Sequence, residues 1–271
     1  MGQRSSKRAR KQANAPSDDQ TSSNQDLTPS NSDRIITLPE GFKVLDNRLF
    51  SIKGNPVYAL PNDDVEFGRL NAQHYQIRFV MQGNQMAPVR EELQRGIKVL
   101  DAGCGTGIWS IEMAREYPNS EFVGADLLDV FKASTAVAPP NVRFQIANTL
   151  ELPFEDNSFD YVFQRLQTVC FRESDWPIVI KELVRVTKPG GWVELIEAEA
   201  RIKNIGPETQ KFYTHLDQMM AMREVHTKII LTIPEMLKSA GLEETERKQC
   251  SVPIGWGQPE IALPSVRVSP L

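Results

Sequence analysis

Val99-Leu100-Asp101-Ala102-Gly103-Cys104-Gly105-Thr106-Gly107 joins an apolar run to a helical pattern. Ile97 to Leu100 reads as a buried strand, and Ile108 to Tyr117 reads as a helix that stops at Pro118-Asn119. Between them lie an acidic residue and three glycines at alternate positions. Glycines at a strand-to-helix junction let the backbone turn tightly and let a ligand approach with no Cβ in the way. The helix N-terminus adds free N–H groups. A parallel sheet holds a nucleotide-like ligand in this way. The dinucleotide fingerprint G-x-G-x-x-G requires glycine at 108, where Ile108 stands. That disfavours an NAD-dependent oxidoreductase. A carboxylate inside the turn, Asp101, suits a ligand with a cationic amine better than one with two phosphates.

The G-x-G-x-G loop behind Asp101 resembles the S-adenosylmethionine (SAM) site of class I methyltransferases. The resemblance implies cofactor contacts from Asp101, Gly103, Cys104, Gly105 and Gly107, with the acid at the methionine end. Glu121 to Asp126 reads as a second strand ending in an acid, and a carboxylate at such a tip can accept both ribose hydroxyls. Asp126 and Leu127 are therefore expected contacts. Asn141 to Ala147 reads as a third strand, Val142, Phe144 and Ile146 alternating with Arg143 and Gln145. The run Asn148 to Phe154 follows. The family pattern here is an Asp, a small residue and then Leu-Pro-Phe; this chain has Asn148 for the Asp, then Thr149. An amide can still accept from and donate to an adenine edge, so both residues are expected contacts.

Phe159 to Phe163 reads as a fourth strand. A helix from about Asp175 to Thr187 is stopped by Lys188-Pro189-Gly190-Gly191, and Trp192 to Ile196 is a fifth strand ending near Glu197. Gln164 and Arg165 fall where ligands meet the carboxyl edge of such a sheet; Gln164 is counted as a cofactor contact. The expected fold is α/β, Rossmann-like, of the class I methyltransferase kind. It has a mostly parallel twisted sheet with helices on both faces, an N-terminal helical lid, and an atypical or truncated C-terminal strand.

Four regions are expected: residues 1–33, a disordered basic and polar tail; 34–96, the lid and helical segment; 97–200, the SAM-binding core; and 201–271, C-terminal helices and edge strands. The tail has almost no large apolar residue to offset its ordering entropy. It carries Arg4, Lys7, Arg8, Arg10 and Lys11 with no acid among the first eleven residues. A solvated tail, a nuclear-import patch, and N-myristoylation at Gly2 reinforced by the basic cluster are the three readings of that segment. The last would associate the protein with a membrane surface.

In the lid, Tyr58-Ala59-Leu60-Pro61-Asn62-Asp63 leads into a helix capped by Asn62 or Asp63. Val65, Leu70 and Ile77 with Phe67 and Tyr75 would give it an apolar stripe for packing. Tyr-x-Leu-Pro-Asn-Asp, then Glu66, Arg69-Leu70 and Gln73-His74, is similar to fungal SAM-dependent methyltransferases related to a nuclear regulator of secondary metabolism. The resemblance runs from about Val57 to Trp256. It implies a lid over the cofactor, with Tyr58 and the Glu66/Arg69 pair as contacts. Toward the C-terminus, Pro207 to about Arg223 reads as a helix. Thr232-Ile233-Pro234-Glu235 reads as a capping box for another, closed by Gly241. Glu243 to Ile254 reads as a sixth strand, and Val266-Arg267-Val268 is a poor seventh because Pro264 and Pro270 flank it.

The whole chain has 271 residues, 35 acids and 31 bases, which gives no argument for a nucleic-acid partner. Cys104, Cys170 and Cys250 have no metal or disulfide spacing and read as reduced thiols in an intracellular protein, cytoplasmic or nuclear. No apolar run approaches the ~20 residues that span a bilayer. The expected function is methyl transfer from SAM to a small-molecule or protein acceptor. The alternative is a SAM-binding regulatory protein acting through partners. Methyl transfer needs a base only when the acceptor is a protonated hydroxyl or amine. His74, His215 and His226 are the candidate bases, and no metal site is expected.

Overall fold

The computed structural model describes residues 41–52, 57–199 and 201–253. Five parallel strands form the central sheet in the order β5-β4-β3-β6-β7. They are β3 (Lys98–Ala102), β4 (Glu121–Asp126), β5 (Val142–Ile146), β6 (Phe159–Arg165) and β7 (Thr187–Ile196). Alternate residues of one strand go to opposite cores. Val99, Tyr161 and Phe163 pack with Trp109 and Met113 of α3 (Ile108–Glu116) and Leu93 of α2 (Arg90–Arg95). Leu100, Ala102 and Val162 pack with Val179, Ile180 and Leu183 of α5 (Trp176–Val186) and with Ile233 and Leu237 of α7 (Ile233–Ser239). Near-continuous apolar strands are what a sheet covered on both faces requires.

Strand order reverses between β3 and β6. Chain connections leave in opposite directions there, opening a crevice at the carboxyl ends of the strands. The glycine loop after β3 and the loop after β6 both lie at that point.

The N-terminal part holds a hairpin that the sequence reading did not anticipate. Strands β1 (Phe42–Leu45) and β2 (Arg48–Ser51) pair antiparallel across Asp46-Asn47, both at positive φ. Two left-handed residues make the tight turn that matches strand twist. The lid helix α1 (Asp64–Met81) is capped by Asp63, whose carboxylate accepts the Glu66 N–H. The same carboxylate accepts two bonds from Arg48, at 2.7 and 2.9 Å, fixing the hairpin to the helix start.

Several expectations are corrected. The stripe Val65, Leu70, Ile77, Phe67 and Tyr75 is not what α1 buries: Val65 and Tyr75 are exposed, while Glu66 and His74 are buried. Polar partners on the core reverse the usual rule. The Lys188–Gly191 turn does not precede β7 but lies inside it, as a bulge between the pairs Phe159–Thr187 and Tyr161–Trp192. A Cβ on Gly191 would stand 2.6 Å from the Asp160 carbonyl oxygen, so the bulge needs glycine. Thr232 makes no capping box; its hydroxyl donates back to the Ile229 carbonyl. Residues 243–253 contain no strand. Glu243, Glu244, Glu246, Arg247 and Lys248 are all exposed there, so the segment has little to bury against a sheet. The helix expected from Pro207 to about Arg223 is α6 (Pro207–Ala221). The tail, Ile254 and the segment Val266 to Val268 lie outside the described residues.

Candidate functional site

Gly103, Gly105 and Gly107 take φ of 74°, 53° and 77°, so each of the three glycines is in left-handed geometry. Two of them meet protein closely: a Cβ on Gly103 would strike the Gln167 side chain and one on Gly107 the Phe144 ring. The Cβ position of Gly105 meets nothing within 4 Å. The loop is thus packed from behind and open at Gly105, the shape of a cradle.

Two carboxylates frame the opening. Asp101, at 4% exposure, accepts from the Ser110 hydroxyl at 2.6 Å. Burial pushes its carboxyl up to about 7, opposed by Ser110 and by the Arg165 guanidinium. Asp126 accepts the Gly105 N–H at 2.9 Å and the Leu128 N–H at 3.1 Å. Burial raises it as well, against those donors. The β4 acid therefore holds the glycine loop in position as well as facing the crevice. Leu127 is partly buried beside it, and Cys104 is buried in the loop.

Past β5, Asn148 is exposed and Thr149 buried. The Asn148 side-chain oxygen accepts the Leu150 N–H at 3.1 Å, an Asx turn that directs the rest of the amide outward.

The loop after β6 supplies a residue the sequence reading missed. Gln164 is wholly buried, and its amide has no partner among the described residues. Gln167 instead lies against the glycine loop and donates to the Gly103 and Arg165 carbonyls at 3.3 and 3.2 Å. Leu166 sits at φ 57°, an unfavourable conformation for a bulky side chain. Glu197, at the end of β7, pins this strained loop: it accepts the Gln167 and Thr168 N–H groups at 2.9 Å and the Thr168 hydroxyl at 2.6 Å. Burial drives its carboxyl up to about 7 against those donors.

α1 closes the crevice through polar contacts. Thr106 of the glycine loop donates to the Asn71 side chain at 2.6 Å. His74 Nε2 lies 2.8 Å from Glu112 and Nδ1 lies 3.0 Å from Arg165. Arginine can only donate, so Nδ1 accepts and Nε2–H donates to the carboxylate. Both ring nitrogens are engaged, and burial with the Arg165 charge lowers the imidazole to about 4. His74 therefore links lid and core with both ring nitrogens engaged. His215 and His226 are exposed, the latter 3.5 Å from Glu173. Near the start of the lid, Arg69 forks onto Glu66 at 2.9 and 2.7 Å. Tyr58 lies within electrostatic reach of that pair, of Cys170 and of Asp126, and burial raises its hydroxyl. Val57 before it packs with Met220 and Val225. No group of metal-binding side chains occurs among the described residues.

The donor set fits SAM: an open glycine cradle, a buried acid that a cationic amine would stabilise, and a second acid at the neighbouring strand tip. Comparisons with known proteins point the same way. A methyltransferase domain family matches residues 99–191. The methyltransferase str2 of Strobilurus tenacellus is 32% identical over 231 residues, 73% of this chain and 80% of its own. N-methyltransferase gliN of Aspergillus fumigatus is 29% identical over 216 residues, 76% of this chain and 75% of its own. The secondary metabolism regulator LAE1 of Cochliobolus heterostrophus is 34% identical over 147 residues, 53% of this chain and 46% of the regulator. The chain thus spans about half the length of that relative. Among solved structures, a chain in the complex between the Haloferax volcanii Trm112 methyltransferase activator and the putative methyltransferase aligns with a TM-score of 0.51 at 18% identity, covering 72% of this chain and 82% of that one. That likeness shows the fold.

Proposed function

The chain belongs to the class I SAM-dependent methyltransferases, and from that premise we propose that it methylates a small-molecule or protein acceptor at the carboxyl edge of the sheet, beneath α1. The observation that carries this reading is the open side of Gly105 between Asp101 and Asp126. Bound SAM supplies a methyl group already activated on a sulfonium. The chain's own work is to bind, orient and exclude water. Asp101 would hold the cofactor's ammonium group, Asp126 its ribose hydroxyls, and Asn148 with Thr149 its adenine. Tyr58 and the Glu66–Arg69 pair would contact the cofactor from the lid, and the α1 contacts from Asn71 and His74 would keep water out. With His74 locked in a neutral link and His215 and His226 exposed, proton removal by a histidine is no part of the reading.

The name of LAE1 favours a second reading, in which cofactor binding serves control through protein partners. Titration calorimetry with S-adenosylhomocysteine, with NADH as control, tests the cofactor site first. Micromolar binding of the former alone is expected, with loss in Gly105→Val; equal binding in that variant would mean the pocket is misplaced. Methyl transfer in an acceptor screen then separates enzyme from regulator.

A further inference from the structure

The outer face of α1 is not accounted for by the cofactor site. A helix lying on a core normally buries its apolar stripe and shows water its polar one. α1 departs from this: Glu66 and His74 are buried and Phe67, Leu70 and Ile77 half-buried, while Val65, Tyr75 and Phe79 stand 68%, 51% and 45% exposed. Gly68 and Ala72 are exposed beside them. These five residues recur at a 3-4-3-4 spacing, the period of a helix-pairing seam. On a helical projection they occupy an arc of about 80°, opposite Glu66, Leu70 and His74. No charged residue of α1 falls within that arc.

We infer that this face docks a second copy of the chain, α1 against α1 in antiparallel register. The size pattern is self-complementary. Setting Tyr75 over Ala72 of the other copy sets Phe79 over Gly68, and two-fold symmetry repeats both pairs. Each exposed ring then covers a residue with little or no side chain. Charge favours the same direction: in this antiparallel register the exposed first-turn Asp64 lies level with Gly83 of the other copy, about 7.5 Å along the axis from the 47% exposed Arg78. Parallel pairing would set Asp64 against Asp64. A groove of about 490 Å³ bordered by Tyr75, Phe79, Gln82, Arg90 and Glu116 continues the face beyond the seam and enlarges the contact. Two helices alone bury less than the roughly 1,000 Å² of a stable interface, so the dimer is a concentration-dependent one.

Sedimentation velocity on the full chain, up to about 100 µM, tests this. A reversible dimer is expected, and Ala72→Arg should weaken it by at least about tenfold by placing a charge at the centre of the seam. Tyr75→Ser is the second variant, and should weaken it too. Both sites are exposed and opposite the crevice, so far-ultraviolet circular dichroism and S-adenosylhomocysteine binding should remain as in the parent. A monomer at all concentrations overturns the proposal, including one whose α1 face is covered by residues 1–40 or 254–271 of the same chain. A dimer indifferent to both variants overturns it as well.

Discussion

Burial drives the Asp101 carboxyl up to about 7 from its ordinary 3.8, so below that pH it is mostly neutral and cannot pair with a ligand ammonium. Affinity for S-adenosylhomocysteine should therefore rise with pH through about 7 and level off above. Asp101→Asn should bind at least about tenfold more weakly, with that pH dependence gone, since a charge-assisted bond is replaced by a neutral one. Calorimetry at about pH 6 and about pH 8 checks both parts. The placement of Asp101 at a strand end and of the glycines in the turn was legible because it is local: acid, turn and helix start follow one another in the chain. His74 was not legible as a link. Its partners Glu112 and Arg165 lie 38 and 91 residues away, and nothing near residue 74 announces them. Gln167 was hidden likewise, since only the left-handed Leu166 turn brings it back onto Gly103.

At the scale of elements, apolar runs ending in a turn or an acid located β3, β4, β6 and β7, since burial on both faces leaves that mark in a sequence, and alternation located the edge strand β5. α1 shows the limit of the same logic. It is held by Asn71 and His74, and by Glu194, which fixes the turn that follows it. That carboxylate accepts the Met86 N–H at 2.9–3.0 Å, the Ala87 N–H at 2.7 Å and the Tyr161 hydroxyl at 2.9 Å. Glu194→Ala would leave the buried Tyr161 hydroxyl and the part-buried Met86 and Ala87 N–H groups without their acceptor. It should cost about 2–5 kcal/mol, read as a lower urea midpoint with the slope unchanged.

For the whole molecule, two site carboxyls, Asp101 and Glu197, are held near 7 against ordinary values of 3.8 and 4.5. The folded state binds more protons than the unfolded chain between those limits, so each group's contribution to stability falls as pH rises through the window and is flat above it. His74, lowered to about 4 from 6.5, works in the opposite sense over part of the range, one group against two. Without ligand, the melting temperature should be higher at about pH 5.5 than at about pH 8. A saturating cofactor analogue should narrow that difference, because its ammonium stabilises the ionised Asp101. Scanning calorimetry with and without S-adenosylhomocysteine measures it; an unchanged difference would detach Asp101 from the ligand. No helix among the described residues is long and apolar enough to cross a membrane. The sequence by itself determined the strand-loop-helix unit at 97–117, the succession of parallel strands and the class of cofactor, because each is written in contiguous residues whose turns and burial leave few alternatives. Only the tertiary structure decided that α1 buries Glu66 and His74 while Val65, Tyr75 and Phe79 stay exposed, that Gln167 reaches the cradle, and that the Lys188–Gly191 turn is absorbed into β7. Those outcomes depend on which distant polar groups meet across the sheet, and hydrogen bonds between residues far apart in the chain leave no periodic trace in it.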